Sequence, residues 1–463
     1  MYLSSLFFKA RIQSILQDAE YVREFSKSSD LPIIANRRCG SWYVPPDILS
    51  GSCYFKSTDG HVGQWAFNHR RLNLHLLPMI ESSGGCIIVD STHGSKKMSD
   101  ALSKTIPIWC AVINHLLFPD DEISSKVFLP PDDVLASKEA YAICQNMPRI
   151  RASARSLDLD LQTLRKQITR PLVPHFVENP RTKAPDSASA ASTRSIICLM
   201  ASHNQVPPEN SNLDQATALS MKLDTSYIRG AGDDEDNWAF GLQPFEFWRD
   251  QQTVMEYVQS DGGLSQCTVQ AIVESRRNQV NNDTPTQIGN LPLFIGRSRD
   301  HVSDKILQAQ TYTAIIICNE QPRLKPRDEA ETVAERCTKL LQLNLREGKI
   351  GSRQLRSKLP QVLSFISNIR ETYPSVMIVD EAGQDLAVGI CLAMLCLFYN
   401  DGRFRRLPPE RDFDKDFIRK QLAVIASCKY DFDPSRATLQ SVHAFLMPKG
   451  GFGDWLHEKR GSA

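Results

Sequence analysis

The sequence has no Cys-x-x-Cys pair, no uncharged apolar run of membrane-spanning length and almost no net charge. Its twelve cysteines are scattered, and several sit in apolar runs, as Cys198 does in IICLM and Cys318 in AIIIC. That is packing in a reducing compartment, and it argues against a disulfide framework or a paired-cysteine zinc site. A membrane-spanning helix needs roughly 20 consecutive apolar residues, and no such run occurs. With 54 Lys and Arg against 53 Asp and Glu, the formal charge is +1. Any surface for a polyanion must therefore be local.

What is present describes a soluble globular protein: 463 residues, 41% hydrophobic and 23% charged, room for two or three domains. The opening segment reads as an amphipathic helix over 4–25, because Lys9, Arg11, Gln13, Gln17 and Asp18 interrupt its apolar character. Cytoplasm is the expected compartment, with the nucleus open. Basic charge gathers at Arg149, Arg151, Arg155, Arg165, Lys166 and Arg170, and earlier at Arg37, Arg38, Arg70 and Arg71. These are candidate contacts to a nucleic-acid backbone, or a solvated helix face.

Three stretches carry chemistry. Lys56, Ser57 and Thr58 offer a cation and two hydroxyls to a phosphate, Asp59-Gly60 is a turn signal, and His61 can exchange a proton near neutral pH. The run 87–97 reads as a buried strand ending in Asp90, followed by Ser91, Thr92, His93, Gly94, Ser95 and Lys96, a plausible phosphate pocket or an ordinary loop. In 230–236, two glycines precede four carboxylates, of which Asp233 and Asp234 could hold Mg2+ or face solvent.

The pattern along the chain is α/β. Strand candidates are 53–56, 63–67, 86–90, 196–201, 314–318 and 376–379. Helix candidates are 99–118 (with Pro107 as a break or kink), 133–146, 155–168, 212–222, 353–371, 386–399, 412–427 and 435–447. A small, polar, proline-containing linker is expected at 178–193, and a second soft segment at 276–290.

The blocks NRRCGSWYV (36–44), 51–75, IIVDSTHGSKKMSD (87–100), YIRGAGDDEDNWAFGL (227–242), VDEAGQDLAVG (379–389) and PSRATLQSVHAFLM (434–447) resemble the initiator tRNA ribosylphosphate transferases, in order and across nearly the whole chain. The resemblance implies transfer of a phosphoribosyl group from phosphoribosyl pyrophosphate to a ribose 2′-hydroxyl in the T-stem of initiator tRNA. It also implies a mixed α/β catalytic domain (1–299) and a dual-specificity-phosphatase-like α/β domain (300–463). A functional phosphatase loop has the form Cys-x5-Arg. Anchored on Gly383, the loop here has Asp380 and Leu386 at those positions, and neither can do that chemistry. Gly383, Gln384 and Asp385 keep backbone donors at a helix N-terminus. The run 87–97 has one aspartate where ordinary phosphoribosyltransferases carry an acidic pair, so their common fold is not expected.

On this reading Asp233 and Asp234 hold Mg2+, while Lys56–Gly60 and Ser91–Lys96 hold the donor's phosphates. Asp59 or His61 is the general base. The arginines at 37, 38, 70, 71, 149, 151, 155 and 165 position the tRNA. The alternatives are a non-catalytic tRNA clamp and a phosphatase relative.

Overall fold

The computed structural model describes residues 2–56, 65–94, 96–177, 192–202, 227–259, 269, 284–297, 312–319, 339–346, 348–369, 374–400, 403–405, 413–429, 432–447 and 452. The proposed helix at 212–222, the strand start at 63–64 and most of the linker at 178–193 lie outside the described residues. The chain divides into two units, Met1–Arg155 with Asp160–Gln279, and Val280–Ala463 with Ser156–Leu159. The division falls near 280 rather than 300, because a strand at Leu293–Arg297 pairs into the second sheet.

In the first unit β1 (Ile33–Asn36), β2 (Leu49–Cys53), β3 (Gly85–Asp90), β4 (Leu172–Val177) and β5 (Arg194–Met200) form a parallel sheet in the order β2-β1-β3-β5-β4. Every residue of β3 is buried, as its unbroken apolar run requires of a strand covered on both faces. Helix α1 (Tyr2–Ser26) buries Phe8, Ile12, Ile15, Ala19 and Val22, one stripe at helical spacing, in a core shared with Trp42, Trp238 and Phe247. β1 was not anticipated: it is four residues long and follows a proline. The second strand ends at Cys53 rather than starting there. Beyond it the Phe55 N–H and C=O are bonded by the Asn36 side chain at 2.8 and 3.1 Å, so they do not continue the ladder. Residues 65–67 form no strand.

The helix expected at 99–118 is two pieces, a π-turn at Ala101–Thr105 running into α3 (Ile106–Leu117). Pro107 has no N–H to give the preceding turn, and the wider turn absorbs that loss without stopping the helix. This unit also contains α2 (Leu76–Ser83), α4 (Ser137–Arg155) and α5 (Leu161–Gln167).

In the second unit β7 (Leu293–Arg297), β10 (Val376–Asp380), β8 (Ala314–Asn319) and β9 (Lys339–Leu345) are parallel, and the short β6 (Thr286–Gln287) pairs antiparallel to β7. The helix Leu386–Phe398 is buried on every side, and its apolar composition all round its circumference accounts for that position. Among the described residues no helix is long and apolar enough to cross a membrane.

Asn114, buried on α3, accepts from the Leu172 N–H at 2.7 Å and donates to the Leu172 C=O at 2.8 Å, fixing where β4 begins. Asn114→Ala leaves both groups buried and unbonded. It should lower the unfolding free energy by about 2–4 kcal/mol, measured by urea denaturation.

Candidate active site

β2 and β3 lie on opposite sides of β1, so the order of the first sheet reverses there. Ligands of open α/β sheets bind outside the carboxyl ends of the strands at such a point. Arg37 and Arg38 follow β1, Ser91–Gly94 follow β3, and Ser202 follows β5. The segment 227–235 is laid across them.

Asp233 is the centre of this arrangement. Its carboxylate accepts from Arg38 Nη2 at 3.1 and 3.2 Å, from His93 Nδ1 at 2.9 Å and from the Asp234 N–H at 3.2 Å, and the His93 N–H lies 3.4 Å away. Arg38 Nη1 donates to the Ser91 carbonyl at 3.1 Å and sits 3.8 Å from Asp90. Two glycines permit this packing. A Cβ on Gly230, whose φ is +66°, would lie 2.4 Å from the Thr92–His93 backbone, and one on Gly232 would lie 2.8 Å from the Trp42 side chain. Arg11 of α1 donates to the carbonyls of Ala231 and Asp233, Tyr43 OH accepts from the Gly232 N–H, and the Trp238 indole donates to the Asp233 carbonyl. The acidic run is thereby split by function. Asp233 is an ion-pair partner, Glu235 accepts from the Trp42 indole, and Asp234 is exposed.

The carboxylate pair expected to hold Mg2+ is therefore not a pair. Both oxygens of Asp233 are taken by protein donors, and among the described residues no group of three His, Cys, Asp or Glu is arranged for a metal. Asp233 does not fit as an open ligand.

The other expected residues separate by burial. Ser57, Thr58, Asp59, Gly60, His61 and Ser95 lie outside the described residues. Lys56 is exposed, and its carbonyl accepts from the Thr105 hydroxyl. His93, Gly94 and Lys96 are exposed, but Ser91 and Thr92 are buried, and the Ser91 hydroxyl donates to Ser202 Oγ at 2.6 Å. Both side chains are buried. Arg38, 17% exposed, and Arg71, 7% exposed with its guanidinium over the Tyr54 ring, are internal rather than RNA-facing. Their charge suggested a surface, but their neighbours are carboxylates and an aromatic face. Arg37, Arg149, Arg155 and Arg165 are exposed. Arg70 and Arg151 are half-buried, the latter donating to the carbonyls of Ser124 and Ser125.

Two acids beneath the site were missed. Asp90, fully buried, accepts from Ser99 through Oδ2, while Oδ1 has no hydrogen-bond partner, and burial raises its pKa to about 6. Asp18 accepts from Ser202 Oγ at 2.6 Å and Tyr227 OH at 2.8 Å, and burial raises its pKa to about 7. The signal for Asp18 was in the sequence. It falls three residues after Ile15 and four before Val22, on the apolar stripe of α1.

Residues 3–274 match the family model described as the Rit1 N-terminal domain, and 339–446 the one described as the Rit1 DUSP-like domain. The chain is 30% identical over 481 aligned positions to the tRNA A64-2′-O-ribosylphosphate transferase of Saccharomyces cerevisiae, covering 94% of this chain and 91% of that protein. The chain belongs to the tRNA ribosylphosphate transferase family. A second relative, an uncharacterized protein of Schizosaccharomyces pombe, is 30% identical over 95% of this chain and 94% of its own. Human DUSP28 aligns with 36% of this family member and 96% of its own chain, at 12% identity and a TM-score of 0.26.

In the phosphatase-like unit of this ribosylphosphate transferase the loop after β10 is filled from within. The Asp380 carboxylate accepts from the backbone N–H groups of Ala382, Gly383, Gln384, Asp385 and Ala387. Burial raises its pKa, against those donors. Asp385 is used elsewhere, accepting from the Ser435 N–H at 2.8 Å and from the Thr438 hydroxyl. The Gln384 carbonyl accepts from the Asp433 N–H. The backbone donors expected to survive at Gly383, Gln384 and Asp385 are present and already occupied.

Asp380→Ala strips the acceptor from five N–H groups and should cost about 3–5 kcal/mol in chemical denaturation, with Asp380→Asn costing less. Asp18 gives a pH signature. Its folded pKa of about 7 exceeds the ordinary 3.8, so the folded chain binds the extra proton. The stability linked to it is complete at acid pH and is lost as pH rises through about 7. Asp18→Asn should gain on wild type over that range, by on the order of 2–4 kcal/mol, in denaturant midpoints taken at several pH values.

Proposed function

We propose that this chain transfers a 5-phosphoribosyl group from phosphoribosyl pyrophosphate to the ribose 2′-hydroxyl at position 64 of initiator tRNA, marking that tRNA against use in elongation. The observation that carries the reading is the similarity across both halves of the chain to a tRNA A64-2′-O-ribosylphosphate transferase. It is supported by a cluster of ionisable groups at the switch point of a parallel sheet.

On this reading the donor's phosphates meet the exposed groups at the carboxyl ends, Lys56, Gly94 and Lys96, together with Ser57–Gly60 and Ser95. Ser91 and Thr92 support the loop from below. The leaving oxygens of pyrophosphate carry the developing negative charge, and lysines and backbone N–H groups aimed at them lower the barrier. Mg2+ is proposed as the companion of the donor's pyrophosphate. Exposed Arg37, Arg149, Arg155 and Arg165 suit phosphate contacts to the T-stem. An A-form helix is recognised mostly by its backbone, shape and 2′-hydroxyls. Such binding weakens steeply with salt.

The test is the mass of initiator tRNA after incubation with the full chain, phosphoribosyl pyrophosphate and Mg2+. The expected result is a gain of one phosphoribosyl group, absent when the 2′-oxygen at position 64 is methylated. Tight, salt-sensitive tRNA binding without any gain in mass would leave only a clamp.

A further inference from the structure

The transfer needs a group to accept the 2′-hydroxyl proton, and the cluster around Asp233 contains one in working geometry. His93 Nδ1 lies 2.9 Å from Asp233 Oδ2. A carboxylate only accepts, so Nδ1 carries the hydrogen, and in the neutral imidazole Nε2 then presents its lone pair. The His93 side chain is 63% exposed and that of Asp233 only 6%. Nε2 makes no hydrogen bond among the described residues. The imidazole thus has one edge fixed from inside the protein and the other open at the carboxyl ends of the strands.

The support beneath it is rigid. Asp233 is held from two further directions, by Arg38 Nη2, which bonds both of its oxygens, and by the Asp234 N–H, and Arg11 and Trp238 hold its carbonyl. The backbone of His93 is pressed by Gly230, at a distance that no other residue type permits. Arg229 clamps the rest of the loop through the carbonyls of Gly94 at 2.7 Å and Lys97 at 3.1 Å. An exposed histidine that merely happened to lie near an acid would not need four separate elements to hold the acid and the loop in place. Asp90 and Asp18 are alternative bases only in name, since both are fully buried and neither reaches a substrate.

We propose that His93 is the general base of the transfer and that Asp233 is its positioning residue, an assignment that rests on the transferase reading above. As O2′ forms its bond to C1 of the ribosyl group, the hydroxyl proton passes to His93 Nε2. The bond from C1 to the pyrophosphate oxygen breaks, and its electron pair leaves with pyrophosphate. His93 then carries hydrogen on both nitrogens, and the Asp233 carboxylate, already bonded to Nδ1, offsets the new charge. The proton returns to solvent before the next turnover.

In the full chain, with initiator tRNA and phosphoribosyl pyrophosphate, His93→Ala is expected to lower kcat by about 10²–10⁴-fold. Donor KM and tRNA affinity should stay near wild type, and added imidazole should restore part of the lost rate. Wild-type kcat in the variant, a loss confined to KM, or a loss that imidazole does not relieve overturns the assignment. The tautomer is read without turnover, by nitrogen NMR of labelled histidine with His93→Gln to assign the signal. Hydrogen on Nδ1 supports the dyad, and hydrogen on Nε2 overturns it. A wild-type chain that binds initiator tRNA but transfers nothing removes the transferase reading itself, and the base with it.

Discussion

The ion pair between Arg38 and Asp233 is the constraint on which the site depends. Burying two charges is expensive, and the attraction between them offsets that cost only when their remaining valences are satisfied. Here they are. The guanidinium bonds the carboxylate and the Ser91 carbonyl, and the carboxylate also takes His93 and a backbone N–H. One pair thereby ties the end of β1, the end of β3 and the segment after Gly230 into a single geometry. Removing either partner would leave an uncompensated charge in a place that excludes water.

The same principle is used differently in the second unit. There the aspartate that ends β10 has no cationic partner among the described residues, and five backbone N–H groups converge on it. Such a ring of donors attracts an anion, and a side-chain carboxylate tethered in the chain outcompetes a free phosphate by proximity. The unit keeps the strand, loop and buried helix of its phosphatase-like architecture, while the loop's binding capacity is spent on its own side chain. The helix it caps, Leu386–Phe398, is buried throughout, so the loop also stabilises the unit's core.

Pattern made much of the fold legible. Unbroken apolar runs marked β3, β8 and β10, and helical spacing marked α1 and the helix Gly348–Ser367, because burial on one or two faces dictates period and composition. Short elements escaped. The four residues of β1 carry too little period to detect, and the π-turn before Pro107 is an adjustment of register that composition does not encode. The strand at Leu293–Arg297 sat inside a stretch read as belonging to the first half, and only its pairing with β10 assigns it to the second.

The sequence by itself determined the family, the two-part α/β organisation and the stretches from which the site is built. Those follow from residue order and local spacing. What each charged residue does was decided by tertiary structure. Asp233 and Asp234 are chemically identical neighbours, yet one is buried against Arg38 and His93 and the other faces water. Arg70 and Arg71 are likewise adjacent, and only Arg71 is covered by the Tyr54 ring. A charge takes its role from the sign, distance and polarizability of what surrounds it. For Asp233 those surroundings come from residues 140 and 195 positions away in the chain.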